Sequence, residues 1–252
     1  MRSGMAGTFS FATQAAEGFS GEDIAFLRAV FPALSACQEI LTTARAMQEA
    51  LRIYVGEEPQ RRIISGDVHR GEVMHIRSAI LFADMRRFTE LTAGMSAEEA
   101  TSLLNAYYDC IVPPIEVAGG EVLKFIGDGI LAIFRAEEDG EKTCAGALKA
   151  SREGLARVAA RTDQPHFEVG IALHFGEVAF GNVGSGMRLD YTVIGRDVNL
   201  AARVAGLCGA RDEPLLVSSE FRRRAGLDAR SLGAQSLKGL QAREEVFAVP
   251  LE

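Results

Sequence analysis

The sequence contains no closely spaced pair of cysteines or histidines. Its four cysteines show no C-x-x-C pattern, and its four histidines show no spacing typical of metal ligands. Zinc sites and disulfide frameworks depend on such spacing, so neither is expected here. We expect reduced thiols packed in the core and histidines in ordinary surface or core positions; these residues are Cys37, Cys110, Cys144, Cys208, His69, His75, His166 and His174.

The sequence also lacks a long apolar run and a large basic cluster. No stretch approaches the roughly 18 uninterrupted apolar residues of a membrane-spanning helix, and the first residues lack the apolar core of a signal peptide. The formal net charge is −7, and basic residues occur only in short runs such as Arg222 to Arg224. We therefore expect a cytoplasmic protein with no membrane span and no nucleic-acid partner.

The N-terminal part of the chain is predicted to be helical. Residues 1–19 are rich in small residues without periodicity, which predicts a flexible terminus. From Ser20 onward, apolar residues recur at three- and four-residue steps, which predicts an amphipathic helix about 35 residues long. A polar connector is expected at 56–67. Two interpretations of the segment 20–75 remain open: the helix packs on its own domain, or it is a regulatory or dimerising segment that pairs with a second chain.

Strand and helix patterns alternate in residues 76–252, which we interpret as a second domain, separate from the N-terminal helical segment. The first six elements follow the order strand, helix, strand, strand, helix, strand of the ferredoxin-like arrangement. The predicted fold class is therefore α+β, a ferredoxin-like, palm-type sheet with helices packed on it. The predicted strands are 77–83, 121–126, 130–134, 167–174, 177–183, 190–194, 214–218 and about 245–249, and the predicted helices are 96–117, 141–160 and 197–208.

Two aspartates stand where strand patterns end. Asp84 closes a buried-strand pattern, and Asp128 lies in a Gly-Asp-Gly turn between two apolar runs that predict a β-hairpin. Carboxylates from neighbouring strands can share divalent metal ions, which suits phosphoryl-transfer chemistry. Taken singly, each aspartate has an ordinary alternative, because Asp128 can be a turn residue and Asp84 a helix N-cap.

A third segment, residues 190–203, runs from a strand through a glycine turn into a helix. On that helix Asn199 and Arg203 are four residues apart, so their side chains share one face. With the two aspartate strands, this segment resembles the catalytic domain of the class III nucleotidyl cyclases. The resemblance covers roughly residues 76–250, and it is nearest to the bacterial adenylate cyclases of the threonine-containing subgroup.

The resemblance implies a set of site residues. Asp84, Asp128 and the backbone carbonyl of Met85 would hold two Mg²⁺ or Mn²⁺ ions. Arg203 would stabilise charge on the α-phosphate, and Asn199 would orient the ribose.

The resemblance also implies which residues bind the substrate. Lys124 and Thr192 would read the purine and favour ATP, because an ammonium donates to adenine N1 and a hydroxyl accepts from the exocyclic amine. Lys238 would contact the terminal phosphates. Arg87 departs from the family pattern, in which glycine is common at this position. The departure affects the expected geometry of the loop that would wrap the phosphates, and not the expected metal ligands.

The expected reaction is the conversion of ATP to cyclic AMP and pyrophosphate in a homodimer. In the family that the chain resembles, the metal ligands of one subunit and the base-reading residues of the other form each active site, so two identical chains would form two equivalent sites. The alternative is a catalytically silent cyclase-like domain that binds nucleotide or regulates a partner.

Overall fold

The computed structural model describes residues 8–136, 140–237, 239 and 243–251. The chain divides into two compact units, Met1–Asp67 and Val68–Glu252. Each unit has its own secondary structure, and the two are described in turn.

The first unit contains two helices, α1 (Gly21–Val55) and α2 (Glu57–Ser65). Helix α1 begins with a capping box, in which the Ser20 hydroxyl accepts from the Asp23 amide and the Asp23 carboxylate accepts from the Ser20 amide. Helix α2 corrects the prediction of a polar connector. The carboxylate of Glu58 binds both Arg61 and Arg62, one turn further along, and such pairs stabilise a short helix.

Helix α1 is apolar and exposed. Within the described residues none of its side chains is buried, and Phe26, Ile40 and Ile53 each keep more than 60% of their accessible surface. An 18-residue window of α1 has a mean hydropathy of 1.4, so its length and composition alone would allow it to cross a membrane. The prediction of no membrane-spanning helix is therefore not confirmed. That prediction considered only uninterrupted runs of apolar residues.

The cysteines fall into two groups. Cys110, Cys144 and Cys208 are buried, as predicted, and burial raises the pKa of both Cys144 and Cys208 to about 12. Cys37 lies exposed on α1, which corrects the prediction of a core position for this thiol. The reason is that the described part of α1 has no buried face.

The second unit contains the sheet. Its elements in chain order are β1 (Val73–Met85), α3 (Phe88–Thr92), α4 (Ala97–Val117), β2 (Glu121–Ile126), β3 (Gly129–Arg135), α5 (Gly140–Ala159), β4 (Val169–Gly184), β5 (Leu189–Ile194), α6 (Arg196–Ala205), α7 (Leu207–Arg211), β6 (Leu215–Ser218), α8 (Ser219–Ala225), β7 (Arg230–Gln235) and β8 (Glu244–Ala248).

The strands form one sheet in the order β2-β3-β1-β4-β6-β8-β7, and β5 pairs with the second half of β4. The first four strands with α4 and α5 reproduce the predicted ferredoxin-like arrangement, so the fold class is confirmed. Alternate residues of β1 enter different cores. Leu81 packs in the cluster that includes α4 and α5, whereas Ile80 packs in the cluster that includes α6.

Strand β4 corrects a predicted boundary. The sequence indicated two strands separated at Phe175 and Gly176, but residues 169–184 form one continuous strand opposite β1. A Cβ atom at Gly176 would lie 2.0 Å from an Asp197 carboxylate oxygen, and this oxygen accepts from the Glu177 amide. The glycine therefore permits close approach of a side chain rather than a turn.

The predicted helix 197–208 is also divided. Helix α6 ends at Ala205, Gly206 follows, and the short helix α7 begins at Leu207. Gly206 itself keeps right-handed helical dihedrals, with φ −61° and ψ −13°.

Candidate active site

Asp84 at the end of β1 and Asp128 in the β2–β3 turn lie next to each other. Strand β1 pairs with β3 as far as Ala83 and Ile130, so Asp84 lies next to the turn that carries Asp128. The two carboxyl groups lie close enough that Asp128 raises the pKa of Asp84. Gly129 suits the tight turn, because a Cβ atom there would lie only 3.1 Å from the Ile126 carbonyl oxygen.

This arrangement is unfavourable for two negative charges. Burial, followed by the neighbouring carboxylate of Asp128, raises the pKa of Asp84 from 3.8 to about 7. Two carboxylates held together at a sheet edge offer the oxygen ligands that Mg²⁺ and Mn²⁺ prefer, and a cation would relieve their repulsion. The residues present therefore fit a divalent metal site.

The shifted pKa predicts how the metal-free protein responds to pH. The folded state binds a proton at Asp84 with a pKa of about 7, whereas the ordinary pKa of the free side chain is 3.8. Between these values the folded state binds more protons, so stability should rise as pH falls from about 7 toward about 4. Urea unfolding in EDTA at several pH values would measure this rise, and Asp84→Asn should reduce it. An equal pH dependence in both proteins would contradict the assignment.

Two tyrosines of α4 lie near the aspartate pair, and neither was predicted from the sequence. The Tyr108 hydroxyl donates to the Gly127 carbonyl oxygen at 2.7 Å, and its ring lies 4.5 Å from that of Phe125. Tyr107 is fully buried, and its hydroxyl has no hydrogen-bond partner within the described residues. Burial, with a further contribution from Asp84, raises the Tyr107 pKa well above 10.0. Apolar helical spacing alone does not distinguish such residues from ordinary core tyrosines.

The loop after β1 follows the aspartate directly. Met85 is buried, and Arg87 adopts φ 53° and ψ 34°, in the left-handed region that glycine occupies without cost. A residue with a side chain is destabilised there by roughly 1–2 kcal/mol. Arg87, where the sequence departs from the family pattern, therefore occupies a strained backbone position beside the proposed metal site.

Asn199 and Arg203 lie on the exposed face of α6, as their spacing predicts. The opposite face carries Val198, Ala201 and Val204, which are buried against the sheet. This packing fixes the helix and leaves the amide and the guanidinium directed away from the core.

Lys124 and Thr192 lie on β2 and β5. Thr192 is buried, and the Lys124 ammonium forms an ion pair with Asp190. Although Lys124 and Asp128 are only four residues apart, the ammonium contacts Asp190 and not Asp128. Within the described parts of the chain, no hydrogen bond or ion pair joins the aspartate pair to Lys124, Thr192, Asn199 or Arg203. The prediction for Lys238 lies outside the described residues.

Comparisons with known proteins match the second unit. Residues 74–247 match the family model described as adenylate and guanylate cyclase catalytic domain. An adenylate cyclase of Anabaena cylindrica is 38% identical over 139 residues, which is 52% of this chain and 27% of that protein. An uncharacterised protein of Mycobacterium tuberculosis is 35% identical over 150 residues, or 60% of this chain and 27% of that protein. The chain thus spans about a quarter of these relatives.

Solved structures show the same similarity. A bacterial light-regulated adenylyl cyclase superposes with a TM-score of 0.72 at 25% identity, over 88% of this chain and 65% of that one. The adenylyl cyclase CyaB of P. aeruginosa has a TM-score of 0.60 at 27% identity, over 71% of this chain and 96% of that one. A guanylyl cyclase has a TM-score of 0.62 at 28% identity, over 70% of this chain and 93% of that one. The structural neighbours therefore include both adenylyl cyclases and guanylyl cyclases.

Proposed function

Because the chain belongs to the family of adenylate and guanylate cyclase catalytic domains, we propose that it converts ATP to 3′,5′-cyclic AMP and pyrophosphate. The observation that carries this proposal is the proximity of Asp84, at the end of β1, to Asp128 in the turn between β2 and β3. It supplies the acidic centre that cyclisation of a nucleoside triphosphate requires.

Asp84 and Asp128, with the backbone carbonyl of Met85, would hold two Mg²⁺ or Mn²⁺ ions. When bound, such ions neutralise phosphate charge and lower the pKa of an attacking hydroxyl. The chain contributes a fixed position for the ligands, because Asp84 lies between the buried residues Ala83 and Met85 on β1 and the Tyr108 hydroxyl donates to the hairpin turn.

Arg203 and Asn199 would act on the phosphate and the ribose. The planar guanidinium of Arg203 donates several hydrogen bonds and is suited to the charge that develops on the α-phosphate oxygens. Asn199, one turn earlier on α6, would orient the ribose so that its 3′-oxygen faces the α-phosphorus. Both side chains lie exposed on one face of α6, as contact with a substrate requires.

Lys124 and Thr192 would select adenine. The ammonium donates to adenine N1, and the hydroxyl accepts from the exocyclic amine, whereas guanine presents a donor at N1 and an acceptor at position 6. Lys238 would contact the terminal phosphates.

The working unit would be a homodimer. The Lys124 ammonium is engaged with Asp190 and separated from Asp128, which supports the assignment of these two residues to different active sites. Each site would take Asp84 and Asp128 from one chain and Lys124, Asn199 and Arg203 from the other. We also propose that the exposed α1 segment pairs the two chains.

The purified protein, incubated with ATP or GTP and either Mg²⁺ or Mn²⁺, tests this function. We expect cyclic AMP and pyrophosphate, with ATP preferred over GTP by about tenfold or more. Chromatography of the products and solution mass give the result. Cyclic GMP as the main product would contradict the base assignment. Nucleotide binding without any cyclic product would favour the silent cyclase-like domain.

A further inference from the structure

Asp190 has no role in the proposed cyclisation reaction. It is the second residue of β5, and it forms an ion pair with Lys124 on β2. Strands β2 and β5 are not hydrogen-bonded neighbours, since β2 pairs with β3 and β5 pairs with β4. The ion pair therefore joins two strands that are distant in the order of the sheet.

Folding stability is a poor explanation for this pair. The side chains of Lys124 and Asp190 retain 34% and 50% of their accessible surface. Exposed ion pairs contribute little to stability, because water screens them and ordering two long side chains costs entropy. Lys124 is proposed to bind the purine, so a role in substrate binding explains its contact with Asp190 better than a role in folding.

Asp190 shares its face of β5 with Thr192. Side chains two residues apart on a strand point to the same side, and the intervening residue points to the other. Tyr191 is that intervening residue, and its ring packs 4.6 Å from Phe180 in the core cluster that includes α6. The carboxylate of Asp190 therefore lies on the same side of β5 as the Thr192 hydroxyl, which would contact the exocyclic group of the purine.

We propose that Asp190 is a specificity-determining residue, which fixes the Lys124 ammonium for adenine N1 and disfavours the 6-carbonyl oxygen of guanine. This inference rests on the proposed function, because it assigns Lys124 and Thr192 to the purine.

The first part of this role is positioning. A lysine side chain is long and flexible, and holding it in one place before the ligand arrives reduces the entropy lost on binding. An ammonium has three donors, so a contact with Asp190 leaves two for the base.

The second part is electrostatic. Adenine presents an amine at position 6, which is compatible with a nearby negative charge. Guanine presents a carbonyl oxygen there, which the same charge repels. Thr192 is neutral, so its hydroxyl brings no negative charge to this side of the strand. Asp190, two residues earlier, supplies a carboxylate on the same face of the strand.

The test compares Asp190→Asn with Asp190→Glu and with Glu153→Gln, which removes a charge from the exposed pair that Glu153 forms with Arg157. Equilibrium binding of ATP and of GTP, measured by displacement of a fluorescent ATP analogue, gives a selectivity ratio that does not depend on turnover. We expect Asp190→Asn to lower the ATP-to-GTP ratio by about tenfold. Asp190→Glu should retain most of the selectivity, and Glu153→Gln should match the wild type.

A second comparison asks whether Asp190 acts through Lys124. In a Lys124→Ala background, Asp190→Asn should lower the ratio by much less than in the wild type. An unchanged ratio in Asp190→Asn, or an equal loss with and without Lys124, would overturn the proposal. If the wild type binds nucleotide selectively but makes no cyclic product, the proposed function fails while the binding ratio still decides the role of Asp190. A wild type that binds neither nucleotide overturns both.

Discussion

Replacing Asp84 with asparagine should lower cyclic nucleotide synthesis by roughly a thousandfold or more, because the variant loses the charge that holds metal ions at the reacting phosphate. Asparagine has nearly the same shape as aspartate, so the hairpin and its packing should remain. Initial rates with saturating ATP and Mn²⁺ would measure the loss. Because the Asp84 pKa is raised to about 7 in the metal-free site, removing this charge should not lower the midpoint of thermal unfolding in EDTA near neutral pH.

Asp163→Asn is the matched control for this change. Asp163 is exposed in the connection between α5 and β4, and the proposed mechanism gives it no part. Its variant should keep wild-type turnover. Substantial cyclic nucleotide synthesis by Asp84→Asn, at a rate close to that of this control, would remove Asp84 from the metal site.

Mixing two inactive variants should restore activity if each site is shared between chains. Arg203→Ala alone should lower turnover by about a hundredfold to a thousandfold, because it removes donors to the charge on the α-phosphate. Asp84→Asn should be inactive for a different reason. In a mixed dimer, one site carries both defects and the other carries neither, since the two residues come from different chains at each site.

The expected yield of this experiment follows from counting dimers. When equal amounts of the two variants exchange freely, about half of the dimers are mixed, and one of their two sites is intact. The mixture should therefore reach roughly a quarter of wild-type activity, measured after refolding or co-expression of the two chains. A mixture that stays as inactive as its components would contradict the shared site. Asp84→Asn mixed with Asp128→Asn should remain inactive and serves as the control.

The sequence predicted the parts of the site that depend on local pattern. Asp84 ends an apolar strand and Asp128 lies in a glycine turn, so both strand ends could be recognised, and antiparallel pairing then brought them together. The spacing of Asn199 and Arg203 similarly identified one helix face. Periodicity and turn residues carry this information directly.

Contacts between distant segments could not be predicted in this way. The ion pair of Lys124 with Asp190 depends on how two non-adjacent strands approach each other, and no local pattern encodes that. The predicted strands 167–174 and 177–183 were separated at residues 175–176, yet the strand is continuous there and the lack of a side chain at Gly176 makes room for Asp197. The buried Tyr107 hydroxyl was missed for a related reason, because its surroundings come from several elements.

Cys37 gives the chain a natural attachment point for a spectroscopic probe. It is exposed on α1, while Cys110, Cys144 and Cys208 are buried. The buried thiols with a pKa of about 12 stay protonated and react slowly. A maleimide spin label should therefore modify one position per chain without any engineered cysteine. In a two-chain assembly the labels would report a single distance between the two α1 helices, and their accessibility to water-soluble or lipid-soluble quenchers would identify the surroundings of this apolar helix.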